Sequence, residues 1–263
     1  MGEEKRKRKL KEKLLSDFPY CIYCGGKTVA DTVEHLPPIS VFDQRYRPSG
    51  LEFPACRTCN SGSRLDDQAI ALFSRMHPDP HTEEGKSEVK KLMKEVNNNH
   101  PGLLLEMRPS FRQKKIARRT RIQAEDQLGA INCTGPLLNG IIHRFGAKVG
   151  FALHYELTKS PVPIGGGTSV WWATNGQRLE GDFPDELLDM LGRPKTLQQG
   201  KKSVADQFQY SSIGTPDGTM SVHFAAFRFS FAIFAFTSVD AEKITPPDNI
   251  NHVTLHKPGW LKT

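Results

Sequence analysis

Tyr20-Cys21-Ile22-Tyr23-Cys24-Gly25-Gly26, then Thr32-Val33-Glu34-His35-Leu36-Pro37-Pro38, then Pro54-Ala55-Cys56-Arg57-Thr58-Cys59-Asn60: these three pieces decide how the first third of the chain is read. Each Cys pair encloses two residues, the spacing that lets two sulfurs of one turn grip a single metal ion. Two such knuckles supply four thiolates. That is a closed tetrahedral set for a structural Zn²⁺, with no position left for water. Cys21, Cys24, Cys56 and Cys59 are therefore the expected zinc ligands, against the plainer reading of two unrelated reduced or redox pairs. Cys133 stands alone and reads as a small buried side chain. An odd cysteine count with no secretory signal argues against a disulfide framework. The 31 residues between the knuckles exceed what a zinc ribbon needs, and they hold an acid beside a histidine after a β-prone Thr32-Val33.

The order of C-x-x-C, Glu-His-x-Pro and C-x-x-C-Asn resembles the HNH endonucleases, the ββα-metal nucleases. The likeness covers residues 18–76; the C-terminal half carries no recognised motif. It implies two short strands bearing Glu34 and His35, crossed by a helix that starts near Cys59. It further implies that Glu34 and Asn60 hold one catalytic divalent cation, Mg²⁺ or another, and that His35 is the general base. The chemistry is consistent: histidine suits proton abstraction near neutral pH, and hard oxygen ligands hold a cation that stabilises charge on phosphate. Neighbouring strand residues point to opposite faces, so Glu34 and His35 converge only if the strand bends, and Pro37-Pro38 supplies a reason for a bend. One departure is Leu51, where the family usually carries an Asn that braces the loop of the base. Asp43, Gln44, Ser49 or nothing takes over that task. Asp66 and Asp67 read either as outer groups for the metal or as acids favouring a helix N-terminus.

Charge extends the reading outward. The 263 residues carry 36 Lys and Arg against 29 Asp and Glu, a net of +7. Residues 1–130 hold +6 of that excess and residues 131–263 only +1, which points to a polyanionic partner for the first half. Residues 1–17 form a basic leader, a short helix or a frayed tail. Residues 18–82 are the zinc module, with a helical pattern at Leu65, Ala69, Leu72, Phe73 and Met76 that His77-Pro78-Asp79-Pro80 ends. Residues 83–129 read as a charged connector, helical over 83–96. Its basic half presents Lys114, Lys115, Arg118, Arg119 and Arg121 to phosphate, against the plainer reading of a solvated face.

From residue 130 the texture changes. Leu138, Ile141, Ile142, Phe145, Val149, Ala152 and Leu153 predict a buried helix over 137–157, with Gly146 and Gly150 packed closely. Strands are expected at 169–173, 208–213 and 220–226, the last two joined by Gly214-Thr215-Pro216-Asp217-Gly218. A short helix is expected at 184–191, capped by Asp182. Apolar positions switch from even (Val222, Phe224) to odd (Phe227, Phe229, Phe231), which demands a bulge or turn near 225–228. Residues 130–263 thus read as an antiparallel sheet packed on helices, and the whole chain as α+β. His143 and His154 read as core or boundary histidines, and Gly165-Gly166-Gly167 as a loop, since it lacks the Gly-Lys-Ser/Thr ending of a phosphate loop.

No run of about 18 apolar residues is present, so no membrane span is expected. The charged N-terminus is not a secretory leader, which leads to a cytoplasmic expectation. The functional expectation is a metal-dependent endonuclease acting on nucleic acid, DNA foremost. Residues 130–263 would then bind a ligand or a second copy of the chain and control the cut. The alternative is a zinc-stabilised nucleic-acid-binding protein that does not cleave.

Overall fold

The computed structural model describes residues 2–76, 82–119, 131–179, 185–199, 202–245 and 254–262. It is a mixed helix-and-sheet structure. The leader is a helix, α1 (Gly2–Asp17), whose last turns lean on the following hairpin through the half-buried Leu14 and Leu15. A turn of 3-10 helix at Ile22–Cys24 closes on Gly25 in the left-handed region, at φ 66°. The chain then forms β1 (Thr32–His35) and β2 (Glu52–Ala55), antiparallel, with Glu34 opposite Phe53 and His35 opposite Glu52. Two helices follow, α2 (Arg57–Gly62) and α3 (Arg64–Ser74).

The connector is ordered by packing over its described part. Helix α4 (Glu83–Asn99) begins on the cap Thr82, whose side chain accepts the Gly85 amide at 3.1 Å, and lays Leu92 and Val96 onto α3. Short α5 (Leu103–Glu106) leads to α6 (Phe111–Arg119). The Asp182 cap, the His77-to-Pro80 stop and Arg121 lie outside the described residues.

The helix expected over 137–157 is α7 (Pro136–Thr158). It crosses one face of a five-stranded antiparallel sheet of order β6-β7-β8-β3-β9. These strands are β3 (Gly167–Thr174), β6 (Phe208–Gly214), β7 (Met220–Phe227), β8 (Phe231–Ser238) and β9 (Thr254–His256). Helices α8 (Asn175–Leu179) and α9 (Asp185–Leu191) and the small pair β4 (Gln198–Gln199) and β5 (Lys202–Ser203) fill the long connection. The switch of apolar phase resolves as a turn at Arg228, φ 53°, that carries β7 into β8. Gly146 and Gly150 are where α7 meets the sheet. A Cβ on Gly146 would stand 2.4 Å from a Val170 methyl, and one on Gly150 2.4 Å from Thr168 Oγ1.

One apolar core runs from Tyr23 and Phe53 through Ile70 and Phe73 to Ile142, Phe145, Val149 and Ile233. The boundary placed at residue 130 therefore crosses a continuous core. Helix α7 is buried nearly all round, because it serves α3 on one side and the sheet on the other. The C-terminal segment strengthens the joint: Gly259 donates its amide to the Tyr23 carbonyl at 2.7 Å, and the Trp260 ring lies 4.8 Å from Phe151. Among the described residues no helix is long and apolar enough to cross a membrane.

Candidate metal centre and its surroundings

The two knuckles converge. The ligand atoms of Cys21, Cys24, Cys56 and Cys59 all lie within 4.8 Å of one another, and all four residues are buried. Cys24 Sγ is 3.6 Å from Cys56 Sγ and 3.4 Å from Cys59 Sγ. A tetrahedral Zn²⁺ with bonds of about 2.3 Å sets its sulfurs about 3.8 Å apart, so little movement is needed to fit one. The Cys21 thiol is held down to about 5, chiefly by the hydrogen bond from Cys59, against the opposing effect of burial. The same hydrogen bond, with burial, pushes the Cys59 thiol up, and burial pushes that of Cys56 up, so a zinc ion would displace their protons on binding. Among the described residues this is the one group of three or more His, Cys, Asp or Glu close enough to hold a metal. Cys133 is half-buried, and burial pushes its thiol up to about 11, as for an inert side chain.

Around this centre the hairpin and α2 bring Asn60 against β1. Asn60 Nδ2 donates to Thr32 Oγ1 at 3.0 Å and to the Val33 carbonyl at 3.3 Å, which fixes its carboxamide against β1. Glu34, one residue on, turns inward and is 5% exposed. Its Oε1 accepts the His35 amide at 3.2 Å and the Lys148 ammonium at 2.9 Å, while Oε2 is buried with no partner among the described residues. His35 turns outward to the exposed face, its Nε2 3.9 Å from Glu52 Oε1. Pairing stays regular through His35, so β1 does not bend where the two residues would need it to converge. Glu34 and Asn60 share one side of the hairpin and His35 takes the other. Burial first, then the Arg47 guanidinium, holds the His35 pKa below its ordinary value. Its ring is therefore neutral at neutral pH.

The loop after His35 is braced by Arg47 rather than by Asp43, Gln44 or Ser49. Its guanidinium donates to the carbonyls of Leu36, Pro37, Pro48, Gly50 and Leu51 at 2.6–3.2 Å. Leu51, at φ 51°, returns its carbonyl to the Leu36 amide at 3.0 Å. Backbone and arginine together thus do what a side-chain amide at that position would do.

Asp66 and Asp67, at the first turn of α3, are both paired across the core. Asp66 takes Arg144 bidentately, at 2.8 Å for each oxygen. Asp67 takes the Lys148 ammonium with both oxygens at 2.9 Å, and Ser63 Oγ takes it at 3.0 Å. Burial is the largest influence on Asp67 and pushes its carboxyl up to about 6 against the pull of Lys148. Tyr23 Oη is buried with no partner among the described residues. Its pKa is pushed up, by burial first and then by the nearby Glu34 carboxylate. Lys148, Arg144, Arg47 and Ser63 were all missed in the sequence. The signal available was Arg144 and Lys148, two cations four apart inside an otherwise apolar helix.

Of the basic connector, Lys114 and Lys115 are exposed on α6. Arg118 and Arg119 belong to the same helix, but their side chains, like Arg121, lie outside the described residues. On the sheet face away from α7, Leu191, Phe224 and Phe234 form a second apolar cluster under α9, with the Trp171 ring tilted against Phe234 at 5.1 Å. Beside it opens a cavity of about 520 Å³ that includes Arg193, Phe224, Arg228 and Phe229 in its lining.

No family model, no curated protein and no solved structure matches this chain. The resemblance drawn above therefore rests on the residues themselves.

Proposed function

We propose that the chain is a metal-dependent endonuclease of HNH type that hydrolyses phosphodiester bonds of nucleic acid, DNA foremost. His35 is the general base, and Glu34 and Asn60 are the ligands of a catalytic divalent cation such as Mg²⁺. Cys21, Cys24, Cys56 and Cys59 hold a structural Zn²⁺. The observation that carries this reading is the pair of oxygens where β1 meets α2: Glu34 Oε2, buried with no partner among the described residues, and Asn60 Oδ1, whose amide nitrogen is already spent on β1. Both are hard oxygen donors of the kind Mg²⁺ takes. A cation bound there supplies charge stabilisation to the scissile phosphate and the leaving oxygen. In this reading β1 bends when substrate binds and brings His35, neutral and exposed, round to the Glu34 side, where it accepts the proton of the attacking water. Arg47 holds the loop that follows it. The exposed Lys114 and Lys115, with the rest of the basic connector, carry sequence-independent contacts to phosphate.

A second reading has its own observation. Glu34 is tied to Lys148 and faces away from His35, as a structural acid would in a zinc-stabilised binding module that does not cleave. One experiment separates the two. Purified protein is incubated with plasmid, single-stranded DNA and RNA in Mg²⁺, Mn²⁺ or EDTA, beside His35→Ala. Cation-dependent cleavage that falls at least about hundredfold in His35→Ala, with zinc content unchanged, is the expected result. Binding without cleavage in every cation selects the second reading.

A further inference from the structure

Lys148 is a fully buried ammonium in the middle of an apolar helix. Burying such a charge is costly unless every donor is met, and here all are: Glu34 Oε1, both oxygens of Asp67, and Ser63 Oγ. The consequence for Glu34 is asymmetric. Oε1 takes both the ammonium and the His35 amide, and among the described residues nothing pairs with Oε2 although it is buried. Lys148 and Arg144 pair with Glu34, Asp66 and Asp67, and the Arg47 guanidinium is also within electrostatic reach of Glu34, yet no ion pair among the described residues reaches Oε2.

We propose that Lys148 is a positioning residue for Glu34: its ammonium pins Oε1, so that Oε2 is the one oxygen Glu34 presents to a divalent cation. This rests on the endonuclease reading, and it brings α7 into a site otherwise built from residues 18–76. Lys148 touches neither cation nor substrate; it acts through the carboxylate. A carboxylate free to swing would bind the cation less well, as happens when groups that orient metal ligands are removed.

The test is Mn²⁺ binding to the zinc-loaded full chain, followed by electron paramagnetic resonance. The principal variant is Lys148→Met/Asp67→Asn, which removes one charge of each sign and leaves the net charge of the cluster unchanged. Its Mn²⁺ affinity is expected to fall about tenfold or more. In a Glu34→Gln background the same pair of changes is expected to alter residual binding by less than about twofold, since the carboxylate it acts through is gone. In plasmid cleavage the variant should need more Mn²⁺, and saturating Mn²⁺ should recover most of the rate. Unchanged affinity, or a loss that persists in full in the Glu34→Gln background, overturns the proposal and leaves the endonuclease reading standing. A wild-type chain that binds no Mn²⁺ brings down both. Should the double variant lose its zinc, Ser63→Ala removes one ammonium partner without touching a charge. It should weaken Mn²⁺ binding about threefold; no change there also overturns the proposal.

Discussion

The two ends of the chain solve the same problem by different means. Residues 18–76 surround four converging sulfurs and a buried set of charges, and much of their core is completed by α7. Residues 131–262 have a long helix on a five-stranded sheet, and apart from Lys148 on the zinc-module side of that helix, the buried polar side chains described there are hydroxyls, an amide and histidines. The clearest example is a chain of side chains from His154 Nδ1 to Ser221 Oγ at 2.7 Å, on to His223 Nε2 at 2.8 Å, and from His223 Nδ1 to Ser212 Oγ at 2.9 Å. Helix α7 holds both arrangements: Arg144 and Lys148 toward the zinc module, and His154 toward the sheet. The difference teaches that a module too small to bury enough apolar surface can lean on a four-cysteine site able to hold a metal and on a neighbour's cations. A sheet with a full apolar face needs neither.

The sharpest way to break that contrast is to take the metal away. Structural zinc in small modules carries about 10 kcal/mol or more of folding free energy at neutral pH. Chelation, or Cys24→Ser, is expected to strip hydrogen-exchange protection from residues 21–62 while amides of β7 and β8 stay protected. Metal release read with a chromogenic chelator should coincide with that loss. If the strands lose protection at the same moment, the continuous core makes the chain a single cooperative unit and the contrast is only local.

Acid attacks the other end. Burial holds the pKa of His154 down to about 4, and burial with the neighbouring His154 holds that of His223 down to about 3. The unfolded chain takes up these protons near pH 6.5, while the folded chain resists them. Stability is therefore complete above pH 6.5 and falls as pH drops toward 4 and then 3. The slope is about 1.4 kcal/mol per pH unit for each histidine that only the unfolded chain has protonated. Urea midpoints at pH 7 and pH 5 should differ by an amount that shrinks in His154→Gln. Equal sensitivity in that variant would mean the acid limb belongs to His223 or to the carboxylates instead.

How far these features could be read beforehand follows from the distance over which each is encoded. The knuckles, the hairpin residues, α7 with its close-packed glycines, and the Gly214-to-Gly218 turn are local patterns, and the structure holds each of them. The charged cluster was not legible, because Asp66 meets Arg144 at a separation of 78 residues and Asp67 meets Lys148 at 81. No local rule pairs them. The straightness of β1 at Glu34 and His35 was missed because the prolines that suggest a bend act one residue later, at Leu36-Pro37. The shared core was missed because an all-round apolar helix says that two partners exist, not which.

Between the ends lies the close contact of α7 with the sheet, where a smaller effect is expected. A methyl at Gly150 meets Thr168 Oγ1 at 2.4 Å and Ala235 Cβ at 3.0 Å. Gly150→Ala should lose about 1–3 kcal/mol by overpacking, despite the better helix propensity of alanine. Thermal unfolding checks the sign. A gain in stability would mean the helix and sheet slide apart easily, and the sheet half would then be the looser one.

The smallest effect tests to which end α7 is fastened. Its first turn is capped from the connector: Glu106 Oε2 accepts the Leu137 amide at 2.9 Å and Oε1 the Leu138 amide at 2.8 Å. A carboxylate there satisfies two otherwise orphaned donors and meets the positive end of the helix dipole. Glu106→Gln keeps one acceptor and gives up the other together with the charge, a loss of about 1 kcal/mol. Because the cap sits on the side of α7 that faces the first half, exchange at the amides of residues 137–141 is expected to quicken while the sheet amides are unaffected. Thermal stability should fall by a similar small amount, and high salt should remove part of the difference, since the dipole term is screened. If fraying instead spreads to residues 144–148, the charges that Arg144 and Lys148 hold on the zinc module depend on the cap. The connector would then be part of what keeps Glu34 in place.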